Sequence, residues 1–270
     1  MQVPRVTAPG YIDELLQLAI ENGIKVIIPT IDTELLVLSQ NIKFFEENNI
    51  SVIISDPSLI TIFRDKRKTH NFFCSYGIGC AREYAKEEYE LPLYIKPFDG
   101  SRSVDNFIIR KKEDLTKYHF SNEKLMFLEY LDHTRHTEFT IDLYYDKDGN
   151  LKCFIPRERI EVRDGEVNKA VTRKPQFVKE LSEKLAKVEG LRGCITFQVF
   201  VNDNDDSLYG IEINPRFGGG YPLSYLAGGN FPKWIIDEYM QGQSVPVFES
   251  WEENLMMLRY DGEVIVHNSI

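Results

Sequence analysis

Residues 197–220 read FQVFVNDNDDSLYGIEINPRFGGG, two apolar arms around a polar turn, the pattern of a β-hairpin. The second arm alternates, with Tyr209, Ile211 and Ile213 pointing one way and Gly210, Glu212, Asn214 and Arg216 the other. Turned to water, the polar row would be an ordinary solvated face. Two features point elsewhere. The row is a carboxylate, an amide and a guanidinium at two-residue steps, and it runs into Pro215 and three glycines, where no bulky side chain blocks close approach. Gln198, on the first arm, adds another oxygen donor.

Such a row suits a hard cation bridging phosphate oxygens. Magnesium takes oxygen ligands and keeps waters, so one or two protein carboxylates or amides plus a polyphosphate complete its shell. Arg216 would neutralise phosphate charge through its planar fork of donors. Residues 202–206 do not make a calcium loop, because the turn glycine and the terminal bidentate glutamate are missing from their offsets.

The hairpin resembles the metal-binding hairpin of the ATP-grasp superfamily, which includes biotin carboxylase, the carbamoyl-phosphate synthetase large subunit and D-alanine–D-alanine ligase. The matching elements are Gln198 and then E-x-N-x-R as Glu212, Asn214 and Arg216. The small run after the arginine is similar to the carbamoyl-phosphate synthetase-like, carboxylate-amine ligase branch. The likeness extends from about Ile24 to Gln243. It implies Gln198, Glu212 and Asn214 as ligands of magnesium or manganese, and Arg216 on phosphate.

Composition agrees with a globular chain. The 270 residues are 43% hydrophobic and 27% charged, enough to bury one large or two ordinary domains. A net charge of -10 leaves no basic surplus to displace counterions, so nucleic acid is not the expected partner. Four cysteines, none in a CxxC pair or at zinc spacing, imply reduced thiols and a cytoplasmic location. No secretory signal opens the chain and no apolar run approaches a membrane span, so no membrane partner is expected.

From the N-terminus, apolar spacing predicts a helix over 11–22, a strand over 25–29, a helix that Asp32 can cap, and a buried strand over 51–55. Alternating helix and short apolar strand implies a parallel α/β layer. The ATP-grasp resemblance makes residues 1–56 a truncated, Rossmann-like pre-ATP-grasp domain, whose gap a homodimer partner would cover. Residues 57–128 and 129–270 are then the two lobes that clamp the nucleotide.

Lys96 ends the apolar strand of LPLYIKPFDG (91–100), where burying an ammonium is expensive unless it meets an anion. Gly100, Ser101, Arg102 and Ser103 offer backbone N–H groups and hydroxyls to phosphate. By the resemblance Lys96 contacts the α-phosphate, Ser101 belongs to the phosphate loop, and Lys66 of the Asp65-Lys66 pair reaches the phosphates. This loop departs from the family, with a single glycine and Val104-Asp105-Asn106 leading into the next strand. The resemblance also places adenine against Glu129, Tyr130 and Leu131, with Met126 lining its slot. His136 or Glu138 would supply the polar pair a ribose needs. Asp142 reads as structural, and Met256 and Met257 as core filler.

Arg157, Arg159, Arg163, Lys169, Arg173 and Lys174 form the densest positive region in the acidic chain. A carboxylate beside a γ-phosphate needs such charge, and Arg159 and Arg173 are the first candidates. The expected fold is therefore α/β (α+β), an ATP-grasp clamp. The implied function is an ATP- and magnesium-dependent ligase that joins a small carboxylate to an amine through an acyl-phosphate. Two alternatives stay open: a small-carboxylate or carbamate kinase, and a nucleotide-binding module without turnover.

Overall fold

The computed structural model describes residues 3–100, 104–163, 165–260, 262 and 265. Three sheets follow one another along the chain. The first layer comprises α1 (Tyr11–Glu21), β1 (Val26–Ile27), α2 (Asp32–Gln40), α3 (Ile42–Glu46) and β2 (Ser51–Val52). β1 and β2 pair in parallel, Val26 with Ser51 and Ile27 with Val52. Leu16, Leu35, Leu38, Phe45 and Ile54 close a small core around them. Asp32 does not cap α2. Ile31 holds the cap position, and the Glu34 carboxylate accepts from the Thr30 and Ile31 N–H groups at 2.9 and 3.2 Å. That leaves the Asp32 carboxylate for a distant partner.

After α4 (Pro57–Phe63) and α5 (Lys66–Ser75), the chain enters an antiparallel sheet of β3 (Glu83–Tyr84), β4 (Leu93–Pro97), β5 (Phe107–Ile109) and β6 (Leu125–Glu129), with α6 (Lys117–Ser121) before its last strand. The strand order is β3-β6-β4-β5. Leu93 and Ile95 of β4 bury on one face, so Tyr94 and Lys96 take the other, as a two-residue period demands. At the start of α5, the Asp65 carboxylate accepts from the Arg67 and Lys68 N–H groups at 2.9 and 3.3 Å, a side-chain N-cap that fixes where Lys66 leaves the helix.

The largest sheet has the order β11-β10-β7-β8-β9-β12, built from β7 (His136–Tyr145), β8 (Leu151–Arg163), β9 (Glu166–Thr172), β10 (Gly193–Asn202), β11 (Leu208–Asn214) and β12 (Met256–Leu258). One face is apolar: Phe139, Ile141, Leu143 and Tyr145 of β7 join Ile195, Phe197 and Val199 of β10 in a core with α7 (Val178–Leu185) and with Phe72 and Phe73 of α5. The opposite face begins apolar, with Tyr144, Ile155 and Cys194 against α9 (Phe231–Tyr239) and the region of α8 (Tyr221–Leu226). Further along the same strands it turns polar, at Asp142, Thr140 and Glu138. That polar end positions the site.

Two expectations change. A bulge between Gln198 and Val199 pairs Gln198 with Glu212 but Val199 with Gly210, so Ile211 is the extra residue. Alternation is broken there. A side chain on Gly210 would run into the Phe73 ring, in the core that also buries Ile213, and Gly210 does not share the outlook of Glu212. Met256 is not core filler either. It is exposed at the sheet edge, and only Met257 packs, partly, against Val167, Ala170 and Leu223. Among the described residues no helix is long and apolar enough to cross a membrane.

Candidate active site

A cleft of about 790 Å³ opens between the small antiparallel sheet and the polar end of the large one, with the first layer as its end wall. The β-registers set its floor. Glu212 pairs with Gln198, Gln198 with Thr140 and Thr140 with Arg157, one row across four strands. The next row runs Asn214, Thr196 and Asp142.

Glu212 is the electrostatic centre of this floor. The Asn214 amide donates to its Oε1 at 2.9 Å, which turns the Asn214 carbonyl oxygen outward as an acceptor. Above it stand two lysines. Lys96 is 7% exposed, and burial brings its pKa down to about 8, against the pull of Glu212 and with a push from Lys66. Burial also lowers Lys66, again opposed by Glu212. The Lys66 ammonium donates to the Gly100 carbonyl at 2.5 Å, and its backbone N–H to the Phe98 carbonyl at 2.9 Å. Lys66 thus closes onto the strand end that carries Lys96. Buried Lys96 and half-buried Lys66 both feel Glu212, and Lys66 also feels Asp99, Asp32 and Asp65. Burial disfavours the charged form of both amines, and an anion placed between them would restore it.

His70, one turn into α5, lines the same cleft. Burial, then Lys96 and Lys66, take its pKa down to about 4, so its imidazole is neutral at pH 7. Sequence reading missed it, since the interior of a charged helix gives no sign of where a histidine will point.

The donor set fits a hard cation. Glu212, Gln198 and Asn214 offer a carboxylate and two amide oxygens side by side. Among the described residues no group of three or more His, Cys, Asp or Glu could hold a metal. A cation here would therefore rest on one carboxylate, amide oxygens, water and a bound polyphosphate, the shell magnesium favours.

Arg216 is tied down. Its Nε donates to Asp32 Oδ1 at 2.6 Å, its Nη2 to Asp32 Oδ2 at 2.7 Å, and its Nη1 to the Phe217 carbonyl at 3.0 Å. It borders the cleft as a positioned charge rather than as an open fork. Arg159 lies 2.9 Å from Glu138 as an ion pair and donates to Thr140 Oγ1 at 3.2 Å. Burial raises the Glu138 carboxyl, and Arg159 opposes that rise. Arg157 is 1% exposed and grips Asp142 with Nε at 2.8 Å and Nη2 at 3.1 Å, while Ser224 donates to the same carboxylate at 2.6 Å. Asp142 is structural in the sense expected, the anchor of Arg157. Arg157 Nη1, a buried donor of a cleft-lining residue, has no acceptor among the described residues, whereas Arg159 Nε has its ion-pair contact with Glu138 Oε1.

Most of the residues singled out in the sequence share this cleft: Lys66, Lys96, Glu129, Tyr130, Leu131, Glu138, Arg159, Gln198, Glu212, Asn214 and Arg216. Leu128 rather than Met126 lines it beside Glu129. Three candidates do not join. Arg173 borders a separate cavity and pairs with Glu158 at 2.8 Å, on the opposite face of β8 from Arg157 and Arg159. His136 sits beyond the cleft, with its Nδ1 2.9 Å from the Asp132 carbonyl and its ring edge-on to Tyr209, while His133 lines the wall in its place. Ser101 lies outside the described residues.

Comparison with known proteins agrees with the fold. Solved structures with the same fold include the biotin carboxylase domain dimer of Hydrogenobacter thermophilus 2-oxoglutarate carboxylase, in complex with magnesium ADP, ADP and bicarbonate. It has a TM-score of 0.75 and 19% identity over 95% of this chain and 62% of that one. Campylobacter jejuni biotin carboxylase in its β,γ-ATP complex gives 0.73 and 19%, over 91% and 60%. N5-carboxyaminoimidazole synthetase from Staphylococcus aureus, complexed with ADP, gives 0.68 and 19%, over 91% and 66%. The chain thus spans less than two thirds of the length of each, and at such identity the likeness is one of fold. No curated protein sequence matches. A family model described as the PylC-like N-terminal domain matches residues 1–53. A second, described as "ATP-grasp in the biosynthetic pathway with Ter operon", matches residues 121–260, more than half of the chain, and this protein therefore belongs to the ATP-grasp family.

Proposed function

We propose that the protein is an ATP- and magnesium-dependent ligase that activates a small carboxylate as an acyl-phosphate for attack by an amine. The observation that carries the reading is the single cleft that holds Lys66 and Lys96 together with Glu212, Gln198 and Asn214. Lys96 and Lys66 would hold the phosphates. Glu129, Tyr130 and Leu131 would take adenine at the β6 end, with Glu138 or His133 near the ribose. Glu212, Asn214 and Gln198 would hold magnesium, which supplies charge neutralisation between phosphate oxygens.

The acceptor carboxylate would lie beside Arg159 and Arg157, where the Arg159 charge is shared with Glu138 and Arg157 Nη1 is a buried donor without an acceptor. Arg216, oriented by Asp32, would supply positive charge where negative charge gathers on the transferred phosphoryl group. In the first step a carboxylate oxygen attacks the γ-phosphorus and ADP departs. In the second the amine nitrogen attacks the acyl carbon, phosphate leaves and the nitrogen releases a proton. Neither step needs a protein nucleophile, so the chain's work is positioning and electrostatics.

The test is a panel of small carboxylates with ATP and magnesium, with hydroxylamine as a general amine trap. A hydroxamate formed together with ADP supports the ligase. A phosphorylated carboxylate that accumulates in the presence of amines would contradict it and indicate a kinase. Nucleotide binding without turnover of any carboxylate would favour the binding-module alternative.

A further inference from the structure

Cys74 and Cys80 stand six positions apart and match no cysteine motif, yet their Sγ atoms lie 3.8 Å apart. Cys74 is exposed on the last turn of α5, and Cys80 is half-buried. The chain folds back between them because Gly77 takes a left-handed φ of 65° and Ile78 plugs into the core, its N–H donating to the Phe73 carbonyl at 2.8 Å. The other two cysteines, Cys153 and Cys194, are buried, and burial drives both thiols far above the ordinary range. Only the first pair combines access with contact.

We propose that Cys74 and Cys80 form a redox-active dithiol, a modification site for peroxide-type two-electron oxidants, that closes reversibly to a disulfide beside the cleft. The two thiols have different parts in the chemistry. Cys74, reachable from solvent, is attacked first: its thiolate takes the terminal peroxide oxygen, the O–O bond breaks, and a sulfenic acid and water result. Cys80 then attacks the Cys74 sulfur, the S–S bond forms, and the hydroxyl leaves as a second water with the Cys80 proton. Two thiols lose two electrons and two protons, and one hydrogen peroxide takes them up as two waters. Burial and the neighbouring Cys74 push the Cys80 thiol up to about 12, which keeps it protonated and shields it from direct oxidation; its attack relies on contact with the Cys74 sulfur. The sulfurs need to close from contact to about 2.05 Å, within reach of a side chain exposed at a helix end.

The position gives the bond a consequence. The Gly79 carbonyl accepts from the Gly210 N–H of β11 at 2.7 Å, and the Arg82 carbonyl accepts from the Glu129 N–H of β6 at 2.8 Å. Ala81, between them, lines the cleft. A disulfide would tie the end of the helix that begins at Lys66 to the segment joining these two strands, and so oppose adjustment of the clamp around a ligand. This coupling rests on the nucleotide reading above, whereas the dithiol does not.

The experiment treats the folded full chain with hydrogen peroxide, blocks the remaining thiols, and measures peptide masses and thiol count. Expected is the loss of two hydrogen atoms from a peptide pair joining Cys74 to Cys80, with two of the four thiols remaining. Dithiothreitol should reverse it, and Cys74→Ser and Cys80→Ser should each abolish it. Four free thiols after treatment, addition of oxygen to Cys74 alone, or dimers joined through Cys74 would overturn the site. Magnesium ADP titrations of the two forms test the coupling: the oxidised form should bind at least about threefold more weakly. Equal affinity would overturn the coupling, and absence of binding by either form would count against the proposed function while leaving the mass result to decide the dithiol.

Discussion

Asp32 and Arg216 are 184 residues apart and form a two-pronged pair, at 2.6 and 2.7 Å, that joins the first layer to the end of the metal-type hairpin. The carboxylate opens α2 and the guanidinium follows β11. Burial alone would lower the arginine's pKa, and the bonds and charge of Asp32 reverse that and raise it. The first layer is thus the support for a charge at the cleft.

Asp32→Ala should therefore lower activity as well as stability. The pair is partly buried, with side chains 20% and 37% exposed, so the stability loss should be about 1–2 kcal/mol in urea unfolding. Arg216→Lys should lose activity nearly as fully as Arg216→Ala, because an ammonium cannot span both carboxylate oxygens. Restoration of wild-type turnover by lysine would remove the geometric role.

If Lys96 holds phosphate as proposed, nucleotide binding should be sensitive to pH. The folded pKa of Lys96, near 8, lies below the ordinary lysine value, so the unfolded chain holds the extra proton between about 8 and 10.5. In that window the free protein gains stability from this group as pH rises, and the gain disappears on return to pH 8. A bound phosphate restores the charged form. Binding should accordingly take up a proton near pH 8.5, visible in calorimetry as a heat that depends on the buffer's ionisation enthalpy. Affinity should fall above pH 8, and Lys96→Met should remove both effects.

His70 acts at the acid end. Its pKa falls from 6.5 to about 4 on folding, so the neutral ring contributes stability that is complete above pH 6.5 and lost as pH falls toward 4. The full loss, reached below pH 4, is roughly 3.5 kcal/mol, at about 1.4 kcal/mol per unit. Urea unfolding at pH 7.0 and 4.5 should show about 2–2.5 kcal/mol of this loss in the wild type and a flatter difference in His70→Gln.

Much of this site was legible in the sequence because strand periodicity is local. Lys96 before Pro97, and Glu212 with Asn214 at a two-residue step, announce their face without help from the rest of the chain. What failed depended on distant partners. Arg173 reads as one more cation in a basic run, but it pairs with Glu158, and alternate residues of β8 face opposite ways. The bulge at Ile211 arises from pairing with β10 and has no mark in the hairpin's own residues. Arg157 looked no different from its neighbours, since its significance lies in Asp142, which Ser224 steadies and which takes Nε and Nη2 while Nη1 is left without an acceptor. Asp32 was expected to cap a helix because the cap position is a local inference, while Arg216 is not local at all.

Gly220 tests the packing around Arg157. A methyl group there would collide with Arg157 Nη1 and press on Val167, and neither can yield easily, since Asp142 fixes the guanidinium and the core fixes Val167. Gly220→Ala should destabilise by about 1–3 kcal/mol and weaken carboxylate use. Gly219→Ala meets only the flexible end of Glu166, so it should be the milder change in both respects.

Calorimetric titration of ATP, with and without magnesium, into wild type and Glu212→Ala reaches the central claim most directly. Magnesium-dependent binding is expected in the wild type, with a thermal shift reflecting about 2.7 kcal/mol of added stability at 100 times the dissociation constant. In folded Glu212→Ala that magnesium dependence should vanish. A folded wild type that binds no ATP, or a Glu212→Ala variant that binds it as before with the same magnesium dependence, would contradict the assignment of this cleft.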